Sequence, residues 1–107
     1  MELFQKPKNV VSRWFSFENR HGSKSQGGKE NKGPKGHPSD VLEPGETFAL
    51  MDAKGPGVVR RIWLTVDAYE SPRMLRSLQI DMYWDGSKKP AVSAPLGDFL
   101  ALGWGER

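Results

Sequence analysis

Two stretches of this chain alternate their side chains with a period of two, and that pattern limits the fold more than any other feature. Val58–Asp67 puts Ile62, Leu64 and Val66 on one face and Arg61, Trp63 and Thr65 on the other. Leu78–Asp85 puts Leu78, Ile80, Met82 and Trp84 on one side and Gln79, Asp81, Tyr83 and Asp85 on the other. Successive side chains take opposite faces in a strand, so both stretches read as strands with one buried face. On that reading Trp84 belongs to the core. Shorter strands are expected at Ser12–Phe17, Thr47–Asp52 and Ala91–Ala94. Glu43-Pro44-Gly45-Glu46, Lys54-Gly55-Pro56-Gly57 and Asp85-Gly86-Ser87-Lys88 are the turn signals between them. Ser71-Pro72 opens a short helical turn through Arg76, and no long amphipathic helix is present. Several short strands divided by Gly/Pro turns imply an all-β fold, a sandwich or a barrel.

The chain falls into three zones. Residues 1–18 form an aromatic N-terminal strand segment. Residues 19–46 hold six of the twelve glycines and no Phe, Trp or Tyr. Such a stretch buries too little apolar surface to offset its chain entropy, so it reads as a long Gly/Lys-rich surface loop that needs a partner to become ordered. Residues 47–107 carry the sandwich pattern. So few strands do not close two covered sheets, and this portion is expected to be incomplete, finished by other chains or by further sequence. A length of 107 residues allows one domain at most. Lys6 and Lys8 are followed by no apolar run, so the start is not a signal peptide, and no stretch is long enough to span a bilayer. The default expectation is a cytoplasmic protein.

Chemistry is sparse. The absence of cysteine removes disulfides, thiolate ligands and cysteine nucleophiles. Gly28-Lys29 invites a phosphate-loop reading, but Ser23 and Glu30 occupy the positions where a Walker loop needs Gly and Ser/Thr. Arg20, Lys24, Lys29, Lys32 and Lys35 make the loop basic, and the net charge is +3. A basic tract binds polyanions by counterion release, but stacking aromatics are missing from the loop, so a solvated loop is the better reading and nucleic acid is not the expected partner. His21 and His37, the only histidines, lie in the loop without close spacing or cysteine. They read as exposed polar residues, and neither a metal nor a cofactor is expected. Glycoside hydrolysis needs two carboxylates facing each other across a bond. Glu18, Asp81, Asp85 and Asp98 are available by count, with Asp85 explained by its turn and Asp81 by an outward strand position. Glu18 and Asp98 adjoin Phe17 and Phe99, where a carboxylate needs partners, which makes them site candidates. Asp98 has a second reading as a cap on backbone amides. Of the four tryptophans, Trp63 lies opposite the apolar face of its strand, so it is the better candidate for a ligand or subunit surface.

Four blocks in order carry a family resemblance: Glu43-Pro44-Gly45-Glu46-Thr47, then Lys54 to Thr65, then Met82-Tyr83-Trp84-Asp85-Gly86, then Ala94-Pro95-Leu96-Gly97-Asp98-Phe99. Together they resemble the family known as domain of unknown function 2961, also glycoside hydrolase family 172, over roughly Ser12 to Gly105. The resemblance implies a partial jelly-roll β-sandwich, assembly into homo-oligomers (trimers or hexamers), and retaining action on fructofuranose or D-arabinofuranose linkages. The family's catalytic glutamate pair is expected downstream of the Gly-Asp-Phe block, so no residue here takes a catalytic role. Ser16-Phe17-Glu18-Asn19 matches a sugar-contacting segment of the family, with Glu18 where Asp is commoner. The resemblance thus makes Glu18 and Asn19 substrate-binding candidates beside Trp63 and Asp98. Arg61 stands where many members have His.

Two function classes compete at this point. In the first the chain is the N-terminal part of a furanoside-acting glycoside hydrolase, inactive alone, whose partner is a carbohydrate substrate. In the second it is a non-enzymatic jelly-roll module for sugar binding or assembly, which predicts a stable β-rich oligomer from this chain by itself.

Overall fold

Asp85-Gly86 organises the one sheet found among the described residues, which in this computed structural model are 2–33, 35–66 and 72–101. Strand β1 is Gln79–Met82 and strand β2 is Val92–Pro95. They pair antiparallel, with Gln79 opposite Pro95, Ile80 opposite Ala94, Asp81 opposite Ser93 and Met82 opposite Val92. The ladder runs one step further at each end: Ala91 N–H donates to the Met82 carbonyl at 2.8 Å, and Leu96 N–H to the Leu78 carbonyl at 2.7 Å. In the connection, Ser87 N–H donates to the Trp84 carbonyl, and Asp85 and Gly86 both have positive φ, 58° and 69°. Positive φ at both central residues is the signature of a type I′ turn, here set within the longer connection from Met82 to Val92.

Helix α1, Pro72–Ser77, precedes this hairpin, and the single turn α2, Leu96–Phe99, follows it. Proline suits the first helical position because that N–H has no partner in a helix anyway. Ile80 of β1 and Leu96 of α2 are the buried apolar side chains, at 9% and 8% exposure. Gly97 lets α2 approach α1, since a Cβ there would lie 2.9 Å from Leu75 Cβ. These elements belong to a unit spanning Val59–Arg107, and a separate unit spans Met1–Val58.

The first unit has turns instead of strands. Ser16 and Asn19 form an isolated antiparallel bridge. Glu30–Lys32 is a 3-10 turn. Glu46 N–H donates to the Glu43 carbonyl across Pro44-Gly45, with Gly45 at φ 84°, which is the expected turn. An aromatic cluster joins the distant parts of this unit: Phe17 meets Phe48 edge-on at 5.1 Å, and the Arg20 guanidinium lies 3.8 Å from the centre of the Phe48 ring. Arg20 also donates to the Ala49 carbonyl at 3.0 Å. The Gly/Lys-rich loop is therefore folded onto Phe17 and Phe48 of its own chain.

Several expected strands are absent. Ser12–Phe17 has only the Ser16 bridge, and Thr47–Asp52 and residues 58–66 make no ladder hydrogen bonds. Asp67 lies outside the described residues. The alternation agrees with the structure only in part: Leu64 and Val66 are partly covered and Arg61, Trp63 and Thr65 exposed, but Ile62, expected on the covered face, is exposed as well. A periodic pattern specifies which side is buried but not which strand pairs with it. Pairing of distant segments must also overcome loop-closure entropy, which β1 and β2 minimise through a short connection. Trp84 is a second correction. It is 54% exposed, because β1 ends at Met82 and Trp84 is the first residue of the turn. The antiparallel pairing and the helical turn after Ser71 agree with the sequence reading. Among the described residues no helix is long and apolar enough to cross a membrane.

Candidate functional site

The polar groups gather in two places, one in each unit. In the first unit the Ser16–Asn19 bridge creates a tight loop whose geometry Asn19 dictates. Its Oδ1 accepts from Ser23 N–H at 3.1 Å and its Nδ2 donates to the Ser23 carbonyl at 2.9 Å. Its own N–H donates to the Ser16 carbonyl at 3.1 Å and lies 3.2 Å from Ser16 Oγ. Both ends of the Asn19 amide are thus engaged with backbone, an arrangement that holds the 19–23 turn. Gly22 completes it, at φ 59° and with a Phe15 ring carbon 3.0 Å from where a Cβ would sit.

Glu18 differs. Its Oε2 is buried and has no hydrogen-bond partner, and its Oε1 lies 3.8 Å from a Cβ position at Gly27. An orphaned buried carboxylate oxygen is costly, and such an atom is where a hydroxyl-bearing ligand or a further polar group gains most by binding.

A cluster that the sequence reading missed lies on the other side of Phe17. His37 Nδ1 bonds Glu30 Oε2 at 2.6 Å and its Nε2 bonds Asp40 Oδ1. The imidazole stacks at 6.4 Å on the Phe17 ring. The hydrogen bond to Asp40, and then that to Glu30, raise the His37 pKa above its ordinary value. The exposed polar residue expected here is in fact a bridge between two carboxylates. The available signal was three titratable residues, Glu30, His37 and Asp40, in a stretch otherwise made of Gly, Lys, Ser, Asn and Pro. Beside this cluster a small cavity of about 100 Å³ is lined by Phe17, Asp40, Val41, Leu42, Phe48 and Leu50.

In the second unit Asp98 sits on α2 and accepts a charge-assisted bond from Arg76 Nη2 of α1 at 2.8 Å. Among the described residues the partner of its side chain is thus a guanidinium, not the backbone amides of a cap. Trp63 is 72% exposed. Their sequence neighbours Ile62 and Phe99 both line an open hollow of about 360 Å³, together with Val59, Arg60, Arg61 and Met82. Asp81, on the exposed face of β1, is held by cross-strand Ser93 and by Gln79, whose Nε2 lies 2.9 Å from Asp81 Oδ1; these bonds lower its pKa. Glu18 and Asn19 lie in the first unit, and Trp63 and Asp98 in the second. Among the described residues no group of His, Asp and Glu side chains is disposed to hold a metal ion.

The carboxylates therefore divide by partner: Glu30 and Asp40 to His37, Asp98 to Arg76, Asp81 to Ser93 and Gln79, and one oxygen of Glu18 to nothing. The sequence model described as GH172 domain-like matches residues 36–107, well over half of the chain. The chain belongs to the GH172 domain-like family, a glycoside hydrolase-related family. No curated protein and no solved structure matches it.

Proposed function

We propose that this chain is the N-terminal, substrate-facing portion of a furanoside-acting glycoside hydrolase of jelly-roll construction, contributing sugar contacts and assembly surface while the bond-cleaving glutamate pair comes from other sequence. The family match over residues 36–107 carries this reading. Two further features support it. Hydrolysis with retention needs two carboxyl groups about 5 Å apart across the glycosidic bond. Glu30, Asp40, Asp81 and Asp98 are instead engaged by His37, Ser93, Gln79 or Arg76. Two groups suited to a ligand are the buried oxygen of Glu18 and the broad exposed face of Trp63. A carboxylate accepts from sugar hydroxyls, and an indole stacks on their C–H faces.

On this reading the chain binds furanosides weakly and does not turn them over. The test combines nitrophenyl D-arabinofuranoside and fructofuranoside assays with intrinsic tryptophan fluorescence titration by the same sugars. The expected result is no nitrophenol release, a saturable fluorescence change, and loss of that change in Trp63→Ala. Turnover by the chain alone would overturn the division of labour, and absence of any sugar response would overturn the binding role.

A further inference from the structure

Among the described residues of the Gly/Lys-rich loop, the His37 bridge is the fastening made between ionisable side chains. An ionised carboxylate only accepts hydrogen bonds. Each ring nitrogen of His37 faces one, Nδ1 toward Glu30 at 2.6 Å and Nε2 toward Asp40. Neutral imidazole has a single N–H and would leave the other nitrogen's lone pair against a carboxylate oxygen. With both carboxylates ionised, both contacts are hydrogen bonds only in the imidazolium, where both nitrogens donate.

The surroundings make this bond pair matter. Residues 19–46 contain no Phe, Trp or Tyr of their own, and what the loop packs on is Phe17, stacked against the His37 ring. Within the loop, Gly33 N–H donates to the Glu30 carbonyl and Gly36 N–H to the Gly33 carbonyl, both at 3.1 Å. Asn31 Nδ2 donates to the Gly36 carbonyl at 2.7 Å. A side chain at Gly36 would overlap the Glu30 carbonyl, so the backbone is drawn tightly together where the bridge begins. Lys32 has positive φ, 71°, a conformation that a residue other than Gly, Asn or Asp holds only when its surroundings enforce it.

We propose that His37 is a proton-operated latch: as an imidazolium it ties Glu30 to Asp40 beside Phe17, and on losing its proton it releases them. The titratable groups facing it are Glu30 from the 3-10 turn and Asp40 from the segment that follows, and the Ser16–Asn19 side presents the apolar Phe17 ring. Among the described residues, Lys29 instead contacts Gln26, and Arg20 is engaged by Phe48 and the Ala49 carbonyl. The two carboxylates raise the pKa of His37, Asp40 most. A raised pKa means the closure is complete below the ordinary imidazole value of about 6.5 and is lost as pH rises through the higher folded value.

The test is an NMR pH titration of the whole chain, following the His37 ring together with the Gly33 and Gly36 amides. The expected result is a His37 midpoint above that of the same histidine in the urea-unfolded chain, with both glycine amides moving at that same midpoint. Asp40→Asn lowers the midpoint more than Glu30→Gln does. His37→Gln shows the open-loop amide positions at every pH. If that variant fails to fold, the titration of the unsubstituted chain still decides. Equal midpoints in folded and unfolded chain, or glycine amides indifferent to the His37 titration, would overturn the latch.

Discussion

The Arg76 guanidinium on α1 donates to Asp98 Oδ2 on α2 at 2.8 Å, across 22 residues of sequence. This bond ties together the two helical turns that flank the hairpin, and it occupies the carboxylate that the family block Gly97-Asp98-Phe99 would otherwise offer to a ligand. Both partners are well exposed, so the pair stabilises little in water. Arg76→Ala is expected to lower unfolding stability by under about 1 kcal/mol. The loss should shrink further in 1 M salt, where the screening length falls to about 3 Å. Urea unfolding at low and high salt checks this. A sugar response that strengthens in Arg76→Ala would show that Arg76 competes with ligand for Asp98.

Gly97 is required by close approach. A Cβ there would meet Leu75 Cβ at 2.9 Å, which real side chains do not tolerate. Gly97→Ala therefore forces α1 and α2 apart beside the buried Leu96, at a cost of about 1–3 kcal/mol. Gly57→Ala is the control, since nothing lies within 4 Å of that position and its backbone is not left-handed. Parallel thermal unfolding of the two variants should show a lowered Tm for the first alone.

The hairpin depends on two residues with positive φ. At Gly86, φ 69°, a branched side chain is strained, and Gly86→Val is expected to destabilise by about 1–2 kcal/mol. At Asp85, φ 58°, asparagine is as well tolerated as aspartate, so Asp85→Asn leaves Tm unchanged whereas Asp85→Ile lowers it. If Asp85→Ile proved neutral, the turn would not be the element that sets the register of β1 and β2.

Acid stability should depend on Asp81. Its pKa is depressed by the Ser93 hydroxyl and then by the Gln79 amide. A depressed carboxylate contributes stability above its unfolded value of about 3.9, and loses it as pH falls through the lower folded value. Asp81→Asn should therefore reduce stability at neutral pH but not at the acid end, giving a flatter stability curve below about pH 4. Urea midpoints from pH 2 to pH 7 measure it, and a curve parallel to that of the unsubstituted chain would exclude the effect.

Local chemistry was legible where it depends on neighbours in sequence. Asp85-Gly86 announced its turn, Pro44-Gly45 announced another, and Pro72 marked the start of α1. The alternation through Leu78, Ile80 and Met82 named the covered face of β1 correctly but carried on one residue too far, to Trp84, since no periodicity records where a ladder stops. At the candidate site, Glu18 and Trp63 stood out by residue type and position. His37 did not, because its meaning depends on Glu30 and Asp40 arriving at opposite sides of one ring.

By itself, the sequence determined the turns, the covered face of β1, the scarcity of helix and, through four ordered blocks, the family. These are local preferences of backbone and side chain, and they act whatever the rest of the chain does. Tertiary structure alone decided which segments pair, that Asp98 is held by Arg76, that Asn19 is engaged by Ser23, that one oxygen of Glu18 is left without a partner, and that His37 bridges two carboxylates. Each of these depends on groups brought together across a loop, and a chain closes such loops only where the contacts formed outweigh the entropy of closure.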